Sequence, residues 1–344
     1  MLQKIELRLI YIFIIALLIS SGCSTGPEVT TEGPLKRVGL KGVEINAIYE
    51  EHQEMLVLTN DGIFINNDGD LNRFGLKGKQ VIDIVSLGSG EYLAGTYTFE
   101  LEAGTKTIHK RKNGEWSVFM GNYGGAEGIY TRVSNLAFDS IGSKIYASGA
   151  GNVSMSSDGG STWEIIFGSW DTISRTHFLE LHPQNNDTLW TGGMNNTGGP
   201  TLLRSIDAGQ NWKFLDTIEF GENENYTILF DESSPNHITV GLGGGIRSST
   251  DHGETWETVL LDSYHFKTFA KSTVVPGKVY VSGEAFNESF FLFVSHDNGF
   301  TWEQLQFDEV PQNIKVNDMV TLVENGQEVI YLGTNRGLFT YTPE

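Results

Sequence analysis

The sequence predicts an all-β fold, a seven-bladed β-propeller of four-stranded antiparallel blades. Three observations predict it: an octet that recurs, a second repeat of strands ending in small residues, and matching segments near the two ends of the chain. The octets read SSDGGSTW (156–163), SIDAGQNW (205–212), STDHGETW (249–256) and SHDNGFTW (295–302), sharing S-x-D-x-G-x-T/N-W. Each lies between two short apolar runs, which makes it the turn of a β-hairpin. An Asp carboxylate accepts from backbone N–H groups just downstream, the Gly takes a positive φ at no steric cost, and the Trp opens the next strand with a large apolar body. Asp158, Asp207, Asp251 and Asp297 are therefore expected to be structural.

The octet tryptophans Trp163, Trp212, Trp256 and Trp302 are 49, 44 and 46 residues apart, the period of a propeller blade. Worn copies precede them: Trp116 ends K-N-G-E-W, and Asn66–Arg73 keeps little beyond the Asp. The second series, MLVLTNDG, YLAGTY, IYASGAG, LWTGGMN, ITVGLGGG, VYVSGEA and IYLGTNRG, counts seven units. The degeneracy of units one and two leaves six or eight as alternatives. Unit seven stops at Gly337–Tyr341 without an outer strand. LKRVGLKGVEINAI (35–48) matches LNRFGLKGKQVIDI (71–84), so Leu35 to Leu40 is expected to supply that strand, closing the ring and removing its edges.

Residues 1–22 read as a secretory signal, with a charged start, an apolar run from Leu9 to Ile19, and small residues before Cys23, the only cysteine. The run is well short of the ~20 residues of a spanning helix, and an uncleaved anchor is the alternative. The ending resembles a bacterial lipobox, with Ser20 where Leu is usual. That resemblance implies lipid on Cys23 and a protein tethered to a bacterial envelope membrane, facing periplasm or surface. Residues 23–33 are then the lipidated Cys and a polar tether, and 34–344 the propeller. No second thiol remains for a disulfide.

The formal charge is −20, from 43 acidic and 23 basic residues. Nucleic acid requires the opposite sign and is excluded as a partner, and anionic headgroups are repelled. His177 and His182, five apart on one strand, fall on opposite faces and make no metal pair. Asn66–Asp70 lacks the ligand spacing of a calcium loop. No cofactor and no metal are expected, and the ring reads as a monomer.

The octet resembles the Asp-box, or BNR repeat, of sialidases, xyloglucanase-type glycoside hydrolases, the luminal domain of sortilin and the photosystem II assembly factor. The resemblance covers residues 35–341. It implies a propeller whose octets face away from the ligand, and it implies little about chemistry. The sialidase R-x-P motif is absent, and Arg247, beside an octet, is on the wrong strand for a central arginine triad. One ring cannot form the two-propeller groove of the xyloglucanase type. The assembly factor is similar in signal, ring and length, but it is associated with a basic patch and this chain is acidic.

Loops on the face away from the octets carry Tyr123, Tyr130, Trp170, Tyr226, Tyr264 and His265, while Arg132, Arg175 and Lys315 open inner strands as a small cationic ring at the channel mouth. Aromatic faces, amides and charges on a rigid frame suit a protein or glycan partner, as a non-catalytic recognition or assembly scaffold. The alternative is a glycoside hydrolase using rim carboxylates, its catalytic residues unassigned. The bland reading is that Trp170 and Tyr226 cap the seams between blades.

Overall fold

The computed structural model describes residues 31–343 apart from 33, 52–53, 68, 98–106, 120–122, 124–132, 150, 170, 216–223 and 286–289. The signal segment, Cys23 and most of the tether lie outside the described residues, as do Tyr130, Arg132 and Trp170.

Each unit runs from an innermost strand outward through antiparallel neighbours. In unit three, Asn135–Asp139, Lys144–Gly149, Asn152–Ser156 and Glu164–Gly168 pair in that order. The second strand, KIYASG, is buried at every position after its Lys, because neighbouring blades cover both of its faces; the outer strand, EIIFG, is largely open to solvent. A blade's hydrophobic signal is thus a continuous apolar run in its second strand.

The strands form six hydrogen-bonded sheets among the described residues, where seven separate ones were expected. Units one to four are four-stranded sheets, and units five and six share a six-stranded one. Two long strands merge them. Ile238–Ser249 continues through Gly243-Gly244 as a single strand, and Glu257–Lys271 continues from the outer strand of unit five into the inner strand of unit six. Asp262–His265, expected as a rim loop, is therefore extended: it has no Gly or Pro to break it, and Tyr264 and His265 pair with Ala285 and Glu284. Packing still divides unit by unit. Among the described residues the buried apolar side chains fall into seven clusters, one at each junction of consecutive units.

Closure of the ring follows the terminal sequence match. Leu35–Gly39 pairs with Gly337–Tyr341 (Lys36 with Thr340, Arg37 with Phe339), and Leu35 is fully buried between units six and seven. A further two-residue strand, Thr31–Glu32, extends this sheet to five.

The octets close the turns between third and outer strands through one repeated set of bonds. Asp Oδ1 accepts the backbone N–H four residues on at 2.8 Å, and Oδ2 accepts the Thr hydroxyl or Asn amide of that residue at 2.6–2.7 Å. The Ser hydroxyl donates to Oδ1 and accepts the N–H of the octet Gly, whose carbonyl takes the Trp Nε1–H at 3.0 Å. That Gly has positive φ in every copy, 82° at Gly253 for example. Strand alternation puts these turns at the opposite end of the ring from the starts of the inner strands.

Candidate functional site

One backbone irregularity recurs at the start of the inner strands. In units one, two, four, five, six and seven the pairing with the second strand slips by one residue, leaving Asn46, Ile82, His177, Tyr226, Lys267 and Asn317 unopposed. A β-bulge of this kind re-aims the side chain of the extra residue. The second strand carries Gly where the bulged chain comes closest. A Cβ on Gly283 would lie 1.9 Å from the His265 carbonyl oxygen, and one on Gly193 would lie 2.0 Å from that of Arg175. In units four and six the second-strand Gly therefore admits the bulge.

Units differ in what they place on the bulge. In units seven and one it is Asn, whose Nδ2 donates to the next unit's backbone, Asn317 to Ile45 O at 2.9 Å and Asn46 to Val81 O at 2.7 Å. In units four, five and six it is His177, Tyr226 and Lys267, which meet one another. The His177 and Tyr226 ring centroids are 4.9 Å apart, and Lys267 Nζ lies 5.7 Å from the centre of the Tyr226 ring. Tyr226 also stacks on His265 at 5.3 Å, its hydroxyl 3.1 Å from Nδ1.

Two carboxylates bracket these side chains. Glu224 bonds His177 Nε2 and has Arg175 at 3.8 Å; Glu284 accepts from Lys267 at 2.7 Å and from Lys315 at 2.5 Å. The hydrogen bond from His177 holds the Glu224 carboxyl below its usual range, against its partial burial. For Glu284 burial is the largest single influence and acts upward, but the bonds and charges of Lys267 and Lys315 together hold it down to about 2. Burial, followed by the positive charge of Lys267, lowers His265, so its imidazole is neutral at physiological pH. Arg175, Lys267 and Lys315 thus converge on a chain of net charge −20.

Four residues singled out from the sequence, Arg175, Tyr226, His265 and Lys315, are brought together here. Tyr264 is not among them: it stacks on Phe291 at 4.3 Å inside the core of units five and six. Tyr123 is 2 % exposed and packs edge-on to Trp163, which makes it part of a seam. From the sequence, Glu224 and Glu284 stand only as members of the rim loops 220–226 and 284–288, His177 only as a rejected metal candidate, and Lys267 is not singled out. The signal that finds the bulge residues is the second-strand Gly opposite them; nothing local marks the two acids. His182, at the far end of its strand, is buried against Pro235 O at 2.9 Å.

Deeper in the ring, Asp83, Glu180 and Asp318 come from inner strands of units two, four and seven. Asp83 accepts the Leu136 N–H of unit three at 2.6 Å; Asp318 accepts the Ile48 N–H of unit one at 2.8 Å and the Thr268 hydroxyl of unit six at 2.9 Å. These bonds tie unit to unit. Enclosure pushes Asp83 up to about 7, and pushes Glu180 up to about 8 with help from the negative charges of Asp83 and Asp318. Glu180 is open to solvent, yet protein surrounds it, and that enclosure dominates. No cluster of His, Cys, Asp or Glu among the described residues is arranged to hold a metal ion.

In unit five, His237 Nδ1 is 3.1 Å from Asp231 Oδ2, and Nε2 is 2.7 Å from Ser248 Oγ. A hydrolytic triad has these contacts. Here Ser248 is 4 % exposed and the Phe300 ring lies flat over the imidazole at 3.9 Å, so the three side chains form a buried polar clasp.

No family model matches the chain. Over 86 residues, 24% of the chain, it is 33% identical to the oligoxyloglucan-reducing end-specific xyloglucanase of Emericella nidulans, a stretch that spans 10% of that protein. Among solved structures it is similar to the extracellular domain of the two component system BT4673 from B. thetaiotaomicron, with a TM-score of 0.66 and 11% identity over 90% of this chain and 40% of that one. An ancestral GH74 enzyme gives 0.64 and 12% over 92% and 51%. YCF48 bound to D1 peptide gives 0.62 and 16% over 93% and 100%. At such identities the likeness shows the β-propeller fold.

Proposed function

We propose that the protein is a non-catalytic recognition module of a bacterial envelope, tethered by lipid on Cys23, which engages a polypeptide partner through the rim of units four to seven. The observation that carries this reading is the run of contacts from Glu224 through His177, Tyr226 and Lys267 to Glu284. It presents an aromatic face between opposite charges, and each side chain is held by its neighbours, so little ordering is needed on binding. The likeness to a peptide-bound structure supports a polypeptide, and the likeness to an extracellular domain supports the envelope location. Arg175→Ala and Lys267→Ala should each reduce capture of the partner that the wild-type protein retains from envelope extract. Equal capture by both variants would sink the assignment.

A glycoside hydrolase is the second reading, favoured by the identity to a xyloglucanase over 86 residues. Hydrolysis needs one carboxyl held protonated to assist the leaving group. At the rim Glu224 and Glu284 are both shifted the other way, so neither is suited to that acid role, while the raised carboxyls Asp83 and Glu180 lie deeper in the ring. Release of reducing sugar from xyloglucan, abolished by Glu224→Gln or Glu284→Gln, would establish the enzyme instead.

A further inference from the structure

We propose that the cleft between units three and four is a carbohydrate site, distinct from the rim of units four to seven. The cleft is open to solvent along one side and offers about 380 Å³, within the range of small-ligand sites. Its apolar wall is Phe167 from the outer strand of unit three with Trp212 and Phe214 from unit four, over Leu203. The Phe167 and Trp212 ring centroids are 5.9 Å apart with planes at 57°, and Phe214 is 42 % exposed. At the junction of units two and three the octet tryptophan Trp163 is instead covered by the chain's own Tyr123, 5.4 Å away.

The other edge of the cleft is polar, formed by Asp171 and Thr172 after unit three and by Asn195 after the second strand of unit four. Both loops are braced. Asn195 Oδ1 accepts the N–H of Thr197 at 3.0 Å and that of Gly199 at 2.8 Å, and the Thr201 hydroxyl donates to Thr172 O at 2.6 Å. Asn196 Nδ2 donates to Asp171 Oδ1 at 2.6 Å and joins the two loops. The site therefore stands preformed. Asp171 Oδ2 and Asn195 Nδ2 make no hydrogen bond among the described residues, which leaves one acceptor and one donor on the same edge.

This combination selects among ligand classes. A purely apolar group would leave both polar atoms unanswered, and an anion would meet the Asp171 carboxylate. A simple ammonium has no acceptor to offer Asn195. A pyranose supplies all three requirements: a C–H face for the rings, hydroxyl donors for Asp171 and oxygen acceptors for Asn195.

Saturation-transfer NMR on the full-length protein, with cellobiose, chitobiose and xylobiose at millimolar concentration, tests this. At least one disaccharide should show contact signals from its ring protons. Phe214→Ala and Asp171→Ala should each weaken that binding about tenfold. Both side chains are exposed, so an unchanged melting temperature will confirm that these variants remain folded. The proposal is overturned if none of the three binds, or if binding is the same in both variants. Preferential binding of N-acetyltyrosinamide would also overturn it, assigning the cleft to an aromatic side chain of a protein.

Discussion

Ser249 is 2 % exposed, and its hydroxyl both donates to Asp251 and accepts the Gly253 N–H. Ser249→Ala strands that buried donor, so urea unfolding should show a loss of about 1–3 kcal/mol. Asp251 itself is held down to about 2, first by the Thr255 hydroxyl and then by the Thr255 N–H. Its folded value is below the unfolded value of about 3.9. Its stabilisation is therefore complete above that value and is lost as the pH falls toward about 2. Glu284 titrates in the same direction, so acid unfolding below pH ~4 should be shallower in Asp251→Ala and in Glu284→Gln than in wild type. Glu180 has the opposite sign. Its folded value of about 8 exceeds the unfolded value of about 4.3, so the native state binds the extra proton and stability declines as pH rises between the two. The wild-type melting temperature should fall from pH 5 to pH 8 (about the span of that window), and Glu180→Gln should flatten the decline. An unchanged slope in that variant would show that the channel carboxyls titrate normally.

The inner strand with its bulge links the repeat to the rim. Gly283 faces the bulge at Lys267, where a Cβ would sit 1.9 Å from the His265 carbonyl. Gly283→Ala must therefore move the strand that carries both His265 and Lys267. We expect a loss of about 1–3 kcal/mol in stability together with weakened partner binding. Normal binding by a destabilised Gly283→Ala protein would separate the bulge from the site. The glycines of YLAGTY, VYVSGEA and IYLGTNRG are visible in the sequence, and so is the octet, since its function is local turn chemistry. The roles of the rim acids were not visible, because Glu224 and Glu284 acquire partners only when units four to seven lie side by side. The extended course of Asp262–His265 was equally hidden: it depends on pairing with Glu284 and Ala285 and on Tyr264 lying over Phe291.

The ring was legible because its closing strand repeats the sequence that links units one and two. The sharing of one sheet by units five and six was not, since it arises from the pairing of the long strand Glu257–Lys271 with both Ile238–Ser249 and Val279–Ala285, which leaves the spacing of the repeat unchanged. Closure joins residues about three hundred positions apart, and Leu35 is its apolar anchor, fully buried among Tyr280, Leu292, Val316 and Phe339. Leu35→Ala leaves the strand bonds in place but opens a cavity in that seam, and should cost about 2–5 kcal/mol. Deleting Leu35–Gly39 removes the bonds as well and bares Gly337–Tyr341 as an unpaired edge, which is a template for pairing with another copy. The deletion should therefore lower the melting temperature beyond Leu35→Ala and add dimers or larger species to the size-exclusion profile. If the deleted protein stays monomeric and melts as the wild type does, the terminal strand does not hold the ring closed, and stability must rest on the seams within units one to seven alone.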